Sequence, residues 1–132
     1  MSESIEAMES LAHQLHSALE AADLSSFSHL LDPGVRWGAP DARVPSCRNR
    51  DQVLAWYERG RESGTRADVT ETVVLGDKIL VELSVRGPRG ADTPGGVAPR
   101  WQVLTVRGGL IVDIVGFDNR SDAVARAGVT SA

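Results

Sequence analysis

RWQVLTVRGGLIVDIVGFDNR, residues 100–120, is the stretch on which the fold of this chain turns. Two runs rich in Val, Ile and Leu flank Gly108-Gly109, and a two-residue diglycine loop supplies the positive φ angles that match the twist of paired antiparallel strands. The segment therefore reads as a β-hairpin. An uninterrupted ladder counted back from the turn sets Arg107 opposite Leu110, Thr105 opposite Val112, Val103 opposite Ile114 and Trp101 opposite Gly116. On that register Trp101, Thr105 and Asp118 share one face, and Gln102, Leu104, Asp113 and Val115 share the other. Asp118 arrives at the strand end, at the rim of whatever the first face encloses.

The preceding residues repeat the pattern. TRADVTETVVL and KILVELSVR flank Gly76-Asp77, a second two-residue turn signal, so the C-terminal half is a strand meander. Val69, Glu71, Val73 and Leu75 alternate with Thr70, Thr72 and Val74, which leaves apolar groups on both sides, and either face of the 66–86 hairpin can line an interior. The Gly- and Pro-rich segment GPRGADTPGGVAP, residues 87–99, reads as a long loop able to overhang a pocket mouth.

Toward the N-terminus the apolar period becomes helical. Ile5, Met8, Leu11, Ala12, Leu15, Ala18, Leu19 and Ala22 recur at three- and four-residue steps and predict an amphipathic helix over 4–22. Asp23 is placed to cap a second short helix burying Phe27, Leu30 and Leu31, which Asp32-Pro33-Gly34 ends by turn chemistry. A short strand over Val35–Trp37 follows, then a loop, GAPDARVPSC. Asn49 with Gln52 resembles a capping box for a third helix running to about Ser63. Residues 119–127 form a last short helix, and 129–132 a frayed tail.

The 132 residues, 42% of them hydrophobic, fit a single domain over 1–128 that buries roughly two-thirds of its unfolded surface. A formal charge of −4 argues against a phosphate-tracking nucleic-acid surface and against an anionic membrane. With an acidic opening and no long apolar run, the expected location is cytoplasmic. The single cysteine, Cys47, excludes an internal disulfide and a multi-cysteine metal site.

The order of elements, carried by ADLSSFSHLLDPGVRW, NRDQVLAWYERG, VVLGDKILVELSVRG and VLTVRGGLIVDIVGFDNRSDAVARAG, resembles the SnoaL-like branch of the nuclear transport factor 2-like superfamily. The resemblance implies an α+β fold: a cone-shaped, curved mixed sheet, a cystatin-like roll, wrapped around three N-terminal helices. It also implies a pocket at the open end and a homodimer through the sheet. Relatives of this kind include polyketide cyclases, ketosteroid isomerases and limonene-epoxide hydrolases. The isomerase-like branch carries an acid near the end of the first strand, where this chain has Trp37-Gly38. The epoxide-hydrolase branch has a Tyr-Phe-Asp corner that Phe117-Asp118 resembles, but its Arg-x-Asp does not match Glu82 to Arg86. The cyclase-like branch needs chiefly one acid or base in an apolar pocket, a part that Asp118 fits.

A carboxylate at the rim of an apolar cavity is suited to proton transfer, because desolvation disfavours its charged form. Asp118 is thus the first catalytic candidate, its alternative being to cap the turn that follows or to pair with Arg120. Glu82 is the second, since a two-residue turn at Gly76-Asp77 sets it opposite Glu71, and like charges so placed repel unless one is protonated or a cation intervenes. Arg86 could neutralise it, and a shifted register could separate the glutamates. Trp37, Trp56, Tyr57, Trp101 and Thr105 are candidates for binding substrate, the indoles by stacking and the Tyr57 hydroxyl by donating to a carbonyl, with core packing the competing role for each indole. A glycine opposite an indole, as Gly116 opposite Trp101, lets the ring lie across the backbone. His13 and His16 face Glu9 and Glu20 at four-residue spacing and read as ion pairs rather than metal ligands. Cys47 precedes a helix N-terminus, which can lower a thiol pKa, but it has no identifiable histidine. The sequence thus describes a pocket for a small, mostly apolar molecule with no metal and no cofactor. That pocket serves either acid/base cyclisation, isomerisation or hydrolysis, or a non-enzymatic ligand-binding or dimerisation module.

Overall fold

In the computed structural model, which describes residues 4–21, 23–39, 46–86 and 97–128, helices dominate the N-terminal half and consecutive strands the C-terminal half, as the two sequence periods require. Helix α1 (Ile5–Ala21) buries the stripe Met8, Leu11, Ala12, Leu15 and Ala18. Helix α2 (Leu24–Ser28) is capped by Asp23, whose carboxylate accepts the Ser26 N–H at 3.1 Å and the Ser26 hydroxyl at 2.7 Å. Those bonds hold the Asp23 pKa below its ordinary value. Helix α3 (Arg50–Glu62) is capped by Asn49, which accepts the Gln52 N–H at 2.9 Å. The Gln52 side chain reaches back to the Arg48 N–H at 2.8 Å, one residue before the partner a full capping box would use. Among the described residues no helix is long and apolar enough to cross a membrane.

Five strands, β1 (Leu31–Gly38), β2 (Arg66–Leu75), β3 (Lys78–Arg86), β4 (Val97–Arg107) and β5 (Leu110–Phe117), pair in the order β1-β5-β4-β3-β2. The pair β1 and β5 is parallel and the other pairs antiparallel, so the sheet is mixed. Gly76 at φ +65°, and Gly108 and Gly109 at φ +60° and +79°, make the hairpin turns that their spacing predicts. Strand β1 begins earlier than expected. Asp32-Pro33-Gly34 is not a separator but an irregularity inside it, where register shifts between Leu31 and Arg36, and an edge strand tolerates the missing proline N–H. Likewise Val97, Ala98 and Pro99, expected as loop, belong to β4. Their partners lie on β3 only, because β5 pairs with β4 no further than Trp101, so Pro99 sits where one flank of the strand is open. The rest of the expected 87–99 loop, residues 40–45 of the earlier loop and the 129–132 tail lie outside the described residues.

A β-bulge at Val112 changes the reading of the decisive hairpin. Arg107 faces Leu110 as counted, but the extra residue shifts the ladder so that Thr105 faces Asp113, Leu104 faces Ile114, Gln102 faces Gly116 and Trp101 faces Phe117. Ile111 and Ile114 therefore point to the same side, against the main cluster with Leu104 and Val106. Trp101 packs on the opposite side with Leu80, Val103, Val115 and Phe117. Trp101 and Thr105 share a face as predicted, but Asp118 does not join them, because one inserted residue in β5 inverts every side chain beyond it.

The two faces carry separate cores. Toward α1–α3 lie Phe27, Val35, Val53, Ile79, Val81 and Ile114, nearly all fully buried, each contributing about 1.5–3 kcal/mol of hydrophobic stabilisation. On the reverse, helix α4 (Arg120–Arg126), capped by Asn119, lays Ala123 and Ala127 over β4 and β5.

Candidate active-site cleft between helices and sheet

Where β3 and β4 outrun β5, the helices and the sheet part to leave an open cleft of about 1260 Å³. Part of its wall is apolar, from Leu19 of α1, Leu24 and Phe27 of α2, Trp56 of α3, and Leu83 and Val85 of β3, and charged side chains line the rest. The rings form a connected set. Trp37 lies 4.4 Å from Trp56 at a tilt of 33°, Trp56 meets Tyr57 edge-on at 5.1 Å, and Tyr57 meets Phe27 edge-on at 5.0 Å. Gly116 lets an indole lie on the strand, but the indole is Trp37 of β1, whose Cζ2 would stand 3.6 Å from a Cβ built there.

Within this apolar setting three polar groups converge. Gln102 Nε2 donates to the Tyr57 hydroxyl oxygen at 3.1 Å, while the reverse bond, from the hydroxyl to Gln102 Oε1, is stretched to 3.5 Å. Among the described residues Trp37 Nε1 is buried without a well-formed hydrogen bond; its nearest polar group is the Tyr57 hydroxyl, whose ionised form it favours slightly as a weak donor. Burial outweighs both neighbours and pushes the Tyr57 hydroxyl up to about 12, so it keeps its proton at any physiological pH. The Tyr57 O–H thus has only a weak internal acceptor, and the buried Trp37 N–H beside it has none of good geometry among the described residues.

Asp118 also lines the cleft, exposed at its mouth. Neither alternative foreseen for it is realised. Asn119, not Asp118, caps α4 by accepting the Asp122 N–H at 2.9 Å, and Arg120 pairs with Glu71 at 3.4 Å. Among the described residues the bond to the Asp118 carboxylate is a long one, 3.5 Å from Asn119 Nδ2.

Of the remaining candidates, Trp37, Trp56 and Tyr57 line the cleft together. Glu82 does not. It stands opposite Glu71 as the turn predicts, but on the face away from α1–α3, where it accepts Trp101 Nε1 at 2.9 Å and the Thr70 hydroxyl at 2.9 Å. The cation that intervenes is Arg120 on Glu71, while Arg86 pairs with Asp68 at 3.2 Å. Trp101 touches the cleft, but its indole packs on the reverse core, and Thr105 sits outside the cleft opposite Asp113. Cys47 is buried against β1 through paired backbone bonds with Trp37, and its thiol is pushed up by burial, which outweighs the nearby Arg59 and the helix N-terminus. His16 pairs with Glu20 at 3.7 Å as its spacing predicts. Sequence reasoning missed Gln102 and Arg100. The signal available for both was the alternation Arg100, Gln102, Leu104, Val106, which the helix-facing side of β4 now explains.

Solved structures share this architecture. A protein from Kribbella flavida, provisionally assigned as a ketosteroid isomerase, is 20% identical with a TM-score of 0.69, covering 87% of this chain and 79% of its own. A polyketide cyclase, also provisionally assigned, from Pseudomonas putida is 22% identical with a TM-score of 0.66, over 90% of this chain and 96% of its own. A nuclear transport factor 2-like protein of unknown function from Cytophaga hutchinsonii is 11% identical with a TM-score of 0.65, over 92% of this chain and 97% of its own. At these identities the likeness is one of fold. Among curated proteins none matches this chain. The sequence itself matches the SnoaL-like domain profile over residues 12–114, most of its length, and the chain therefore belongs to the SnoaL-like family.

Proposed function

We propose that the cleft binds a small, mostly apolar molecule by an oxygen atom and that Asp118 moves a proton on it without a cofactor. The observation that carries this reading is the buried Trp37 Nε1, without a well-formed hydrogen bond among the described residues, beside the Tyr57 hydroxyl at the ring-lined wall of the cleft. A buried donor without a partner costs about 1–3 kcal/mol, and a ligand carbonyl would remove that cost. The reaction these groups suit is proton abstraction from the carbon next to that carbonyl. Asp118 takes the proton, the electron pair moves into the enolate, and the charge growing on oxygen is met by Tyr57 O–H and Trp37 N–H. Return of the proton to another carbon gives isomerisation, and attack of the enolate on a second carbonyl gives cyclisation.

A binding-only role is the second reading, favoured by the position of Glu82 on the far face, which leaves Asp118 without its expected partner acid. Exchange of the methyl protons of acetonaphthone in heavy water, followed by NMR, separates the two. Asp118→Asn is expected to slow exchange by at least about 100-fold while binding and melting temperature stay near wild type. Equal exchange by the two proteins removes Asp118 from the chemistry. Binding with no exchange above the buffer rate leaves the carrier.

A further inference from the structure

Five arginines, Arg59, Arg61, Arg66, Arg86 and Arg100, line a cleft in a chain whose net charge is −4. They are not equivalent. Arg86 is held by Asp68. Arg66 donates to the backbone carbonyls of Arg61 at 3.1 Å and Thr65 at 2.8 Å. The acids of the cleft are also largely engaged: Glu20 accepts the Val69 N–H at 2.8 Å, and Asp122 accepts Asn119 Nδ2 at 2.8 Å.

Arg100 differs. It stands opposite Leu83, so it shares the helix-facing side of β4 with Gln102, one two-residue step away, about 7 Å along the strand. It is half-buried, and among the described residues it makes no ion pair; its Nη1 donates to the neighbouring Pro99 carbonyl at 2.7 Å. Continuing the ladder one step past Trp101 and Phe117 brings Arg100 level with Asp118 across β4 and β5, yet the two are not within ion-pair distance. A half-buried guanidinium beside apolar walls, turned onto a backbone carbonyl while a carboxylate stands level with it, is a fork open to a planar anion.

We propose that the ligand of this cleft is an acid, an apolar body carrying a carboxylate that Arg100 holds while its carbonyl oxygen lies at Tyr57. This rests on the binding reading above and adds the ligand's charge. Fixing both ends of the molecule leaves the carbon between them the part presented to Asp118.

Calorimetric titration with two probes, acetonaphthone and acetylnaphthoic acid, tests it. The wild-type protein is expected to bind the acid roughly tenfold more tightly than the ketone at low salt, a preference that shrinks as salt rises. Arg100→Gln is expected to abolish the preference while leaving ketone affinity unchanged, Arg100→Lys to keep part of it, and Arg86→Gln to leave it intact. Equal wild-type affinity for the two probes overturns the acid assignment but leaves the cleft a binding site. Equal weakening of both probes by Arg100→Gln assigns the arginine to Asp118 or to the fold and also overturns it. Failure of both probes to bind wild type sinks the binding reading, and this inference with it.

Discussion

Trp101 and Gln102 are neighbours in the chain and point to opposite sides of one sheet, where their polar ends meet opposite treatment. On the reverse side, Trp101 Nε1 finds Glu82 at 2.9 Å, the glutamate takes the Thr70 hydroxyl as well, and α4 closes over the apolar remainder. On the helix side, Gln102 meets Tyr57 in one good bond and one stretched one, Trp37 Nε1 has no well-formed bond among the described residues, and the cleft opens beside their rings. The reverse side is a finished structure. The helix side is short of an acceptor, and a protein gains nothing for its own stability from such a deficit. The proposed function rests on this contrast, without reference to any relative.

Gln102→Leu should break the comparison most visibly. It removes the donor on the Tyr57 oxygen and is expected to cost about 1–3 kcal/mol, seen in chemical denaturation. It also shifts a titration. The folded-state value of about 12 lies above the ordinary 10, so the stabilisation from keeping Tyr57 protonated is full below pH 10 and is lost as pH climbs through about 12. Because the Gln102 bond lowers the Tyr57 pKa, Gln102→Leu should move it further up. Tyr57 is the only tyrosine, so tyrosinate absorbance reports it directly. A midpoint near 10 in wild type would mean that the hydroxyl meets bulk water and that the cleft has no dry interior.

Glu82→Ala tests the reverse side. Both Glu82 and Trp101 are partly exposed, so water can replace some of what is lost, and the expected cost is about 1 kcal/mol, with Glu82→Gln close to neutral. Affinity for a ketone probe should not change. If it falls with Glu82→Ala, the two faces are coupled and the division drawn here is too sharp.

The sequence showed one side of this contrast better than the other. Asp23 and Asn49 cap the helices their positions predict, Asn119 takes the capping role weighed for Asp118, and the glycines of 76 and 108–109 make the turns, because caps and tight turns depend on residues a few positions apart. The choice of face was not legible. Val103 and Val115 are as buried on one side as Leu104 and Ile114 on the other, so apolar alternation marks both faces as interior once α4 covers the reverse. The bulge at Val112 leaves no local mark, since Leu110-Ile111-Val112 reads as uninterrupted strand. That single unmarked residue put Asp118 with Trp101 on paper and sets it level with Arg100 in the fold. It also took the partner indole of Gly116 from β4 and gave it to β1, a long-range contact that no hairpin count can reach.

Gly116→Ala probes that last exchange and carries the smallest expected effect. A Cβ at this position would meet Trp37 Cζ2 at 3.6 Å, an ordinary van der Waals distance, and the backbone there is not in the left-handed region. Alanine restricts the unfolded chain more than glycine does, so the substitution should be neutral or stabilising by about 0.5 kcal/mol, with tryptophan fluorescence unchanged. A loss above about 1 kcal/mol would instead mean that Trp37 presses on the strand more tightly than this distance allows. The orphaned Nε1 would then be fixed by packing rather than left waiting for an acceptor, and the asymmetry between the two faces would lose its chemical meaning.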